Sequence, residues 1–193
     1  SEEHTHLHIA ANSSGMHFIL PEVTKLFLEE HTSYHIHLQL AEHEAAIEAL
    51  EAKQIDIAML PRRIHKQFPK TCKYFPMWSF PTSLITKPNH PLAGCKNLTV
   101  RDISEYEIIL PAEDLQVVPN LHRLFSDCAL PTKSRLHFLN LKTGRRYVET
   151  GQAITISSTV WMSKNDTLVA TPLSHILPNV DYGIVVRSEV PSE

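Results

Sequence analysis

The chain has little of what marks several large protein classes. Its three cysteines, Cys72, Cys95 and Cys128, are few, odd in number and widely spaced. That pattern excludes a disulfide framework and points to reduced thiols in the cytoplasm. No Cys-x-x-Cys occurs, so neither a zinc ribbon nor a dithiol site is encoded. A redox-sensing pair among the three stays open. No apolar run approaches the length of a membrane span. The opening Ser-Glu-Glu-His carries no basic and no apolar segment of a secretory signal. Lys and Arg accumulate no further than the pairs Arg62-Arg63 and Arg145-Arg146, and the formal net charge is -3. Both facts argue against nucleic-acid binding by this chain alone. The Gly-x-Ser-x-Gly elbow is absent as well. Ser13 and His43 could be imagined as nucleophile and base, but nothing places a third group beside them.

What is present is an ordinary globular composition, 42% hydrophobic and 20% charged over 193 residues. That length suffices for one large domain or two small ones. Residues 6–11 alternate like a strand, and residues 18–28 carry Phe18, Leu20, Val23, Leu26 and Phe27 at helical spacing. Pro21 fits the first turn of that helix. Residues 33–40 alternate again, with Tyr34, Ile36, Leu38 and Leu40 on one face. A helix over 44–53 and a short buried strand over 55–60 follow. This β-α-β-α-β order predicts a parallel sheet with right-handed crossovers.

Residues 61–81 break the rhythm with Pro61, Pro69, Pro76 and Pro81, and read as the irregular crossing into a second unit. Strands are then expected over 82–87, 107–110, 135–139, 153–157 and 167–173. Helices are expected near Val100–Ser104, over 119–129 and over 141–150, the last capped by Asn140 and stopped by Gly151. A final strand over 182–187 stands alone.

The stretch Asn12-Ser13-Ser14-Gly15 lies where the first strand hands over to a helix. Parallel α/β sheets bind ligands beyond the carboxyl ends of their strands. A helix start offers unpaired N–H groups and partial positive charge, and hydroxyls beside it add donors. The combination suits a small anion. The plainer alternative is that Ser13 or Ser14 merely caps the helix. The second strand ends at Ala41-Glu42-His43 and the third at Leu60-Pro61-Arg62, so three strand ends converge.

Five strings, in order, resemble the effector-binding domain of LysR-type transcriptional regulators. Residues 7–40 resemble the family's strand, polar loop, helix and alternating strand. AAIEALEAKQIDIAML is similar to its LxxGxLDLAI pattern, with Lys53-Gln54 where Gly is common. ITKPNHPLAG is similar to VxPxxHPLA, VRDISEYEIILP to DLxxxPxIL, and RRYVETGQAITI to LVAAGxGIxLLP. The resemblance covers essentially the whole chain. It implies an α/β fold of two Rossmann-like subdomains joined by two crossover strands, like a type 2 periplasmic binding protein. Subdomain I would hold residues 1–76 and 182–193, and subdomain II residues 77–181. An amino-terminal winged helix-turn-helix, and a helix after the last strand, are expected in the family and missing here.

The resemblance further implies a small polar effector, anionic or zwitterionic, bound between the subdomains. By position, its contacts would be Asn12, Ser13, Ser14, His43, Pro61 and Arg62 from the first, and Pro111, Ala112, Glu113 and Thr155 from the second. Ala153 replaces the second Gly of the family's Gly-x-Gly, and Ser158 stands where Pro is usual. Glu113 adds an acid where small polar residues are typical, which widens the effector class to zwitterions and cation-bearing ligands. A homodimer, a tetramer at full length, contact with DNA only through the missing domain, no membrane contact and a cytoplasmic location complete the expectation. A secreted solute-binding protein of the same fold is the alternative.

His4, His6 and His8 alternate and share one strand face, and His35 and His37 do the same on the next strand. Such rows can present imidazoles to Zn, Ni or Cu. The plainer account is a polar face or a dimer edge, with any bound metal adventitious. No cofactor, metal ligand or catalytic residue is assigned.

Overall fold

The computed structural model describes residues 4–111, 117–138 and 141–189. They divide into two compact units. Unit one holds the described residues up to Trp78 and from Asp181 onward, and unit two holds Ser79–Val180. The chain therefore passes between the units twice. The first seven elements are β1 (Thr5–Ala11), α1 (Ser13–Phe18), α2 (Leu20–Glu30), β2 (Tyr34–Leu40), α3 (His43–Glu51), β3 (Ile57–Pro61) and β4 (Cys72–Phe80). Unit two continues with β5 (Thr82–Thr86), α4 (Val100–Ser104), β6 (Ile109–Pro111), α5 (Val117–Asp127), β7 (Leu136–Phe138), α6 (Leu141–Glu149), β8 (Thr155–Ser158) and β9 (Val169–Pro172). The last strand, β10 (Val180–Arg187), brings the chain back.

In unit one the strand order is β2-β1-β3-β10-β4. β2, β1 and β3 are parallel, as the β-α-β-α-β reading requires, whereas β10 runs antiparallel to β3. The final strand is thus an interior member of the sheet. Gly183 makes its place beside β4 possible, because a Cβ there would overlap the Tyr74 ring and the Phe75 carbonyl oxygen. Alanines at 10, 46, 49 and 58 let α3 close on the sheet, with Leu50, Ile55, Leu60 and Val185 filling the same core.

Two expectations need correction. Residues 61–81 are not wholly irregular, since β4 is a nine-residue strand that contains Pro76. β4 is the outermost strand, where a missing N–H breaks no ladder. The helix expected over 18–28 is two helices that meet at Ile19. Pro21 sits in the first turn of α2, and its ring would clash with the carbonyl four residues back, so α1 cannot run through it.

Unit two has an antiparallel sheet, β8-β5-β9, and a parallel pair, β6-β7. A parallel bridge between Ile108 and Ile154 ties them. α4 forms where expected because Thr99 and Asp102 make a reciprocal capping box, each side chain taking the other's backbone N–H. α6 stops at a left-handed Gly151, with φ 75°. Its expected cap, Asn140, lies outside the described residues. Among the described residues no helix is long and apolar enough to cross a membrane.

Candidate functional site

The handover from β1 to α1 is held by Asn12. Its Oδ1 accepts the Gly15 N–H at 3.0 Å, and its Nδ2 donates to the Tyr182 hydroxyl at 3.4 Å. The cap is therefore Asn12, not a serine. Gly15 is buried beneath it, and a Cβ there would come within 3.1 Å of the Asn12 Oδ1. With the cap filled, Ser13 and Ser14 are the first two helical residues and are half-buried. Among the described residues neither finds an acceptor for its N–H or a partner for its hydroxyl. Tyr182 was missed by sequence reasoning, because it supports Asn12 from 170 residues away.

The neighbouring strand ends add two groups of different character. His43 opens α3 and is 7% exposed. Its ring stacks on Phe68 at 5.1 Å, and Phe68 stacks on Tyr74 at 4.9 Å. Burial, aided by the nearby positive charge of Arg63, lowers the His43 pKa to about 4. The imidazole is therefore neutral at physiological pH, and its buried Nε2 has no partner. Pro61 ends β3, and the Arg62 N–H donates to the Asp181 carbonyl at 2.7 Å. The Arg62 side chain is exposed and forms no ion pair among the described residues. Arg63 is committed instead. Both its terminal nitrogens donate to Glu44 at 2.6 Å, and Lys66 adds a contact at 2.9 Å. The Arg63 and Lys66 hydrogen bonds hold the Glu44 carboxyl well below its usual range.

The strand register brings these ends together within unit one. Ala11 pairs with Leu40 on one side and Met59 on the other. Two serines with free donors, a neutral buried imidazole and an exposed guanidinium thus belong to three adjacent strand ends. Donors of this kind suit a carboxylate or another small polar anion.

In unit two, Pro111 is the last residue of β6. Thr155 opens β8, fully buried, with its hydroxyl donated to the Ile109 carbonyl at 2.8 Å. Ala112 and Glu113 lie outside the described residues. A separate pocket of about 370 Å³ lies at the opposite ends of β6 and β8, lined by Lys87, His90, Tyr106, Glu107 and Gly151 among others. None of the expected site residues lines it. His90, from the ITKPNHPLAG string, accepts the Leu92 N–H at 3.1 Å and packs edge-on against Tyr106.

A sequence model of the family described as LysR substrate binding domain matches residues 1–192. The chain belongs to this family. The family is one of transcriptional regulators and not of enzymes, so the hydrolase reading of Ser13 and His43 falls away. The LysR domain is similar to the HTH-type transcriptional regulator SsuR of Burkholderia cenocepacia, 23% identical over 173 residues, which are 89% of this chain and 56% of SsuR. The chain spans about half the length of the curated relatives it matches. The cofactor-binding domain of the Cbl transcriptional regulator has a TM-score of 0.82 at 18% identity, covering 98% of this chain and 83% of that one. The BenM effector-binding domain with its effector benzoate has a TM-score of 0.79 at 21% identity, covering 97% of this chain and 86% of that one. The LysR domain has the α/β fold of LysR effector-binding domains, of the periplasmic-binding-protein-like type.

Proposed function

We propose that this LysR domain is the effector-sensing part of a transcriptional regulator, and that it binds a small polar effector, anionic or zwitterionic, at the ends of β1, β2 and β3. One observation carries the reading. The Asn12 cap leaves the N–H and hydroxyl groups of Ser13 and Ser14 without partners at the start of α1, just past the end of β1, the strand that pairs with β3 and so neighbours the exposed Arg62. The benzoate carried by BenM supports a carboxylate as the first class to test. His43 contributes a neutral imidazole, and Pro61 shapes the third strand end. Pro111, Ala112 and Glu113 keep the role the resemblance gives them, as a second set of effector contacts, whereas Thr155, buried with its hydroxyl donated to Ile109, supports β6 and does not touch the effector. Effector binding favours one arrangement of the protein over another through differential affinity. DNA contact belongs to a domain outside this chain, and the location is cytoplasmic.

The test is a thermal-shift screen of small carboxylates and amino acids, followed by calorimetry on the best hit. Ser13→Ala with Ser14→Ala weakens binding by about 1.5–3 kcal/mol per hydrogen bond lost to a charged group. The melting temperature of the free protein stays where it was. An unchanged affinity would move the site elsewhere.

The same reading includes a homodimer built from α2 and β2 of one chain against unit two of its partner. Leu26 is 63% exposed and Leu40 62%, with Phe18 and Leu38 also exposed. Leu38 and Leu40 share the strand face of Tyr34, which packs against Phe27 of α2, so both elements carry exposed apolar side chains for a partner to cover. Leu26→Asp with Leu40→Asp converts the dimer to a monomer in sedimentation. A native chain that is monomeric at high concentration would overturn this part. Tetramers at full length follow from the same expectation.

A further inference from the structure

Four of the thirteen histidines stand on one face of β1 and β2, and His4, just before β1, continues their row. β1 and β2 are parallel, with His6 opposite His35 and His8 opposite His37. The rings form a zigzag in the order His4, His35, His6, His37, His8, with successive centroids 4.5, 5.2, 5.1 and 4.5 Å apart. On the sequence alone these residues read as a polar face or a dimer edge, with any bound metal adventitious. The ring geometry narrows that reading, because at the centre of the row His6 Nδ1 and His37 Nε2 face each other at 2.8 Å.

Two neutral imidazoles at this distance share one proton. Either ring can move its proton to its outer nitrogen by tautomer exchange. Two lone pairs then face one another, and only a cation between them makes that arrangement favourable. The spacing also selects the cation. Metal–imidazole bonds are about 2.0 Å long, so nitrogens 2.8 Å apart subtend roughly 90° at the ion. A tetrahedral angle would need them about 3.3 Å apart. An angle near 90° is the cis angle of tetragonal or square-planar coordination, which Cu(II) and Ni(II) prefer and Zn(II) does not. Among the described residues no three His, Cys, Asp or Glu gather around one point. The remaining positions on the ion therefore go to water. The pair is exposed, so an ion reaches it directly from solvent.

We infer that His6 Nδ1 and His37 Nε2 are the two protein ligands of a divalent copper or nickel site that clips β2 to β1. The flanking rings of His8 and His35 pack against this pair and hold it in register. The site shares no residue with the effector reading and stands or falls without it.

The experiment is a calorimetric titration of the tag-free protein with Cu(II), Ni(II) and Zn(II) in a non-coordinating buffer, with electron paramagnetic resonance on the copper form. One Cu(II) binds per chain, with a tetragonal spectrum and hyperfine splitting from two imidazole nitrogens. Ni(II) binds at least as tightly as Zn(II). His6→Gln and His37→Gln each weaken copper binding by at least about tenfold. His31→Gln, on the loop before β2, leaves it unchanged. Several outcomes would overturn the inference: copper spread over many histidines, wild-type affinity in His6→Gln and His37→Gln, or Zn(II) held more tightly than Ni(II). The spectrum of the native protein decides the ligand count even if a variant folds poorly.

Discussion

The two units treat their buried polar groups differently. In unit two these groups hold the fold. Asp166, with its side chain 5% exposed, takes two hydrogen bonds from Arg145, at 2.5 and 3.0 Å, and the backbone N–H groups of Ser163 and Leu168. Burial by itself would raise this carboxyl, but Arg145 and the two N–H groups outweigh it and keep Asp166 below its ordinary range. Thr82 donates to the Pro178 carbonyl, and the Thr171 hydroxyl accepts from the Gly94 N–H. Among the described residues both units leave some buried polar atoms without partners, Ser83 Oγ and Ser134 Oγ in unit two, and the imidazole His43 Nε2, the guanidinium Arg63 Nε and the phenol Tyr74 Oη in unit one. A buried polar atom left unpaired costs stability, so its persistence calls for a bound water or ligand. The lesson is that unit two pairs its buried charge and leaves only small hydroxyls over, whereas unit one keeps an imidazole and a guanidinium nitrogen in reserve around the strand ends proposed for the effector.

The largest expected effect breaks the committed side of this contrast. Arg145→Ala leaves the Asp166 carboxylate buried and unpaired. It lowers stability by about 3 kcal/mol in urea unfolding. Effector affinity measured on the remaining folded protein is unchanged, because the partners of Arg145 are Glu149, Trp161 and Asp166 and none of them is a proposed effector contact.

A second prediction uses pH to expose the reserve in unit one. His43 has a pKa of about 4 when folded and an ordinary value of 6.5 when unfolded. Between these values the unfolded chain binds a proton that the folded protein does not. Stability is therefore full above pH 6.5 and falls as the pH drops toward 4, by at most about 3 kcal/mol. His43→Gln flattens the unfolding free energy across that window. A slope that survives the substitution would assign the effect to another group.

The smallest effects compare helix ends across the units. α3 and α6 finish in the same way, with the N–H groups of the two residues past the end bonded back to the last turn. α6 uses Gly151 at φ 75°, whereas α3 uses Lys53 at φ 59°. A side chain in this left-handed region is strained. Gly151→Ala therefore costs about 1 kcal/mol, and its new Cβ meets the Lys87 side chain at 3.3 Å. Lys53→Gly gains about 0.5 kcal/mol, less than the relief of strain because the unfolded chain becomes more flexible. Thermal melts of the two variants shift in opposite directions if this account holds.

Much of the fold was legible wherever the signal is local. The alternation of residues 6–11, the helix near Val100–Ser104 and the stop at Gly151 each need only a few neighbouring residues, and each appears where expected. The family strings were legible for the same reason. Lys53 also explains one of them, since the family's common Gly sits where the backbone turns left-handed. The misreadings share a cause. Pro76 looks like a strand breaker until β4 is known to be outermost. The cap could have been Ser13 as easily as Asn12 until Tyr182 arrives to hold the Asn12 amide. His43 looks like a surface ligand until Phe68 and Tyr74 stack behind it.

The sequence by itself determined most of the order of strands and helices, β4 and the separate α1 excepted, together with the parallel start of the sheet, the stop of α6 and the family, because periodicity, capping and turn chemistry act within one or two turns of chain. Only the tertiary structure decided which strands became edges, which polar atoms lost their partners and which imidazoles met. Those outcomes depend on burial and hydrogen bonding between residues far apart in the chain, such as His6 with His37 and Asn12 with Tyr182, and no local pattern encodes them.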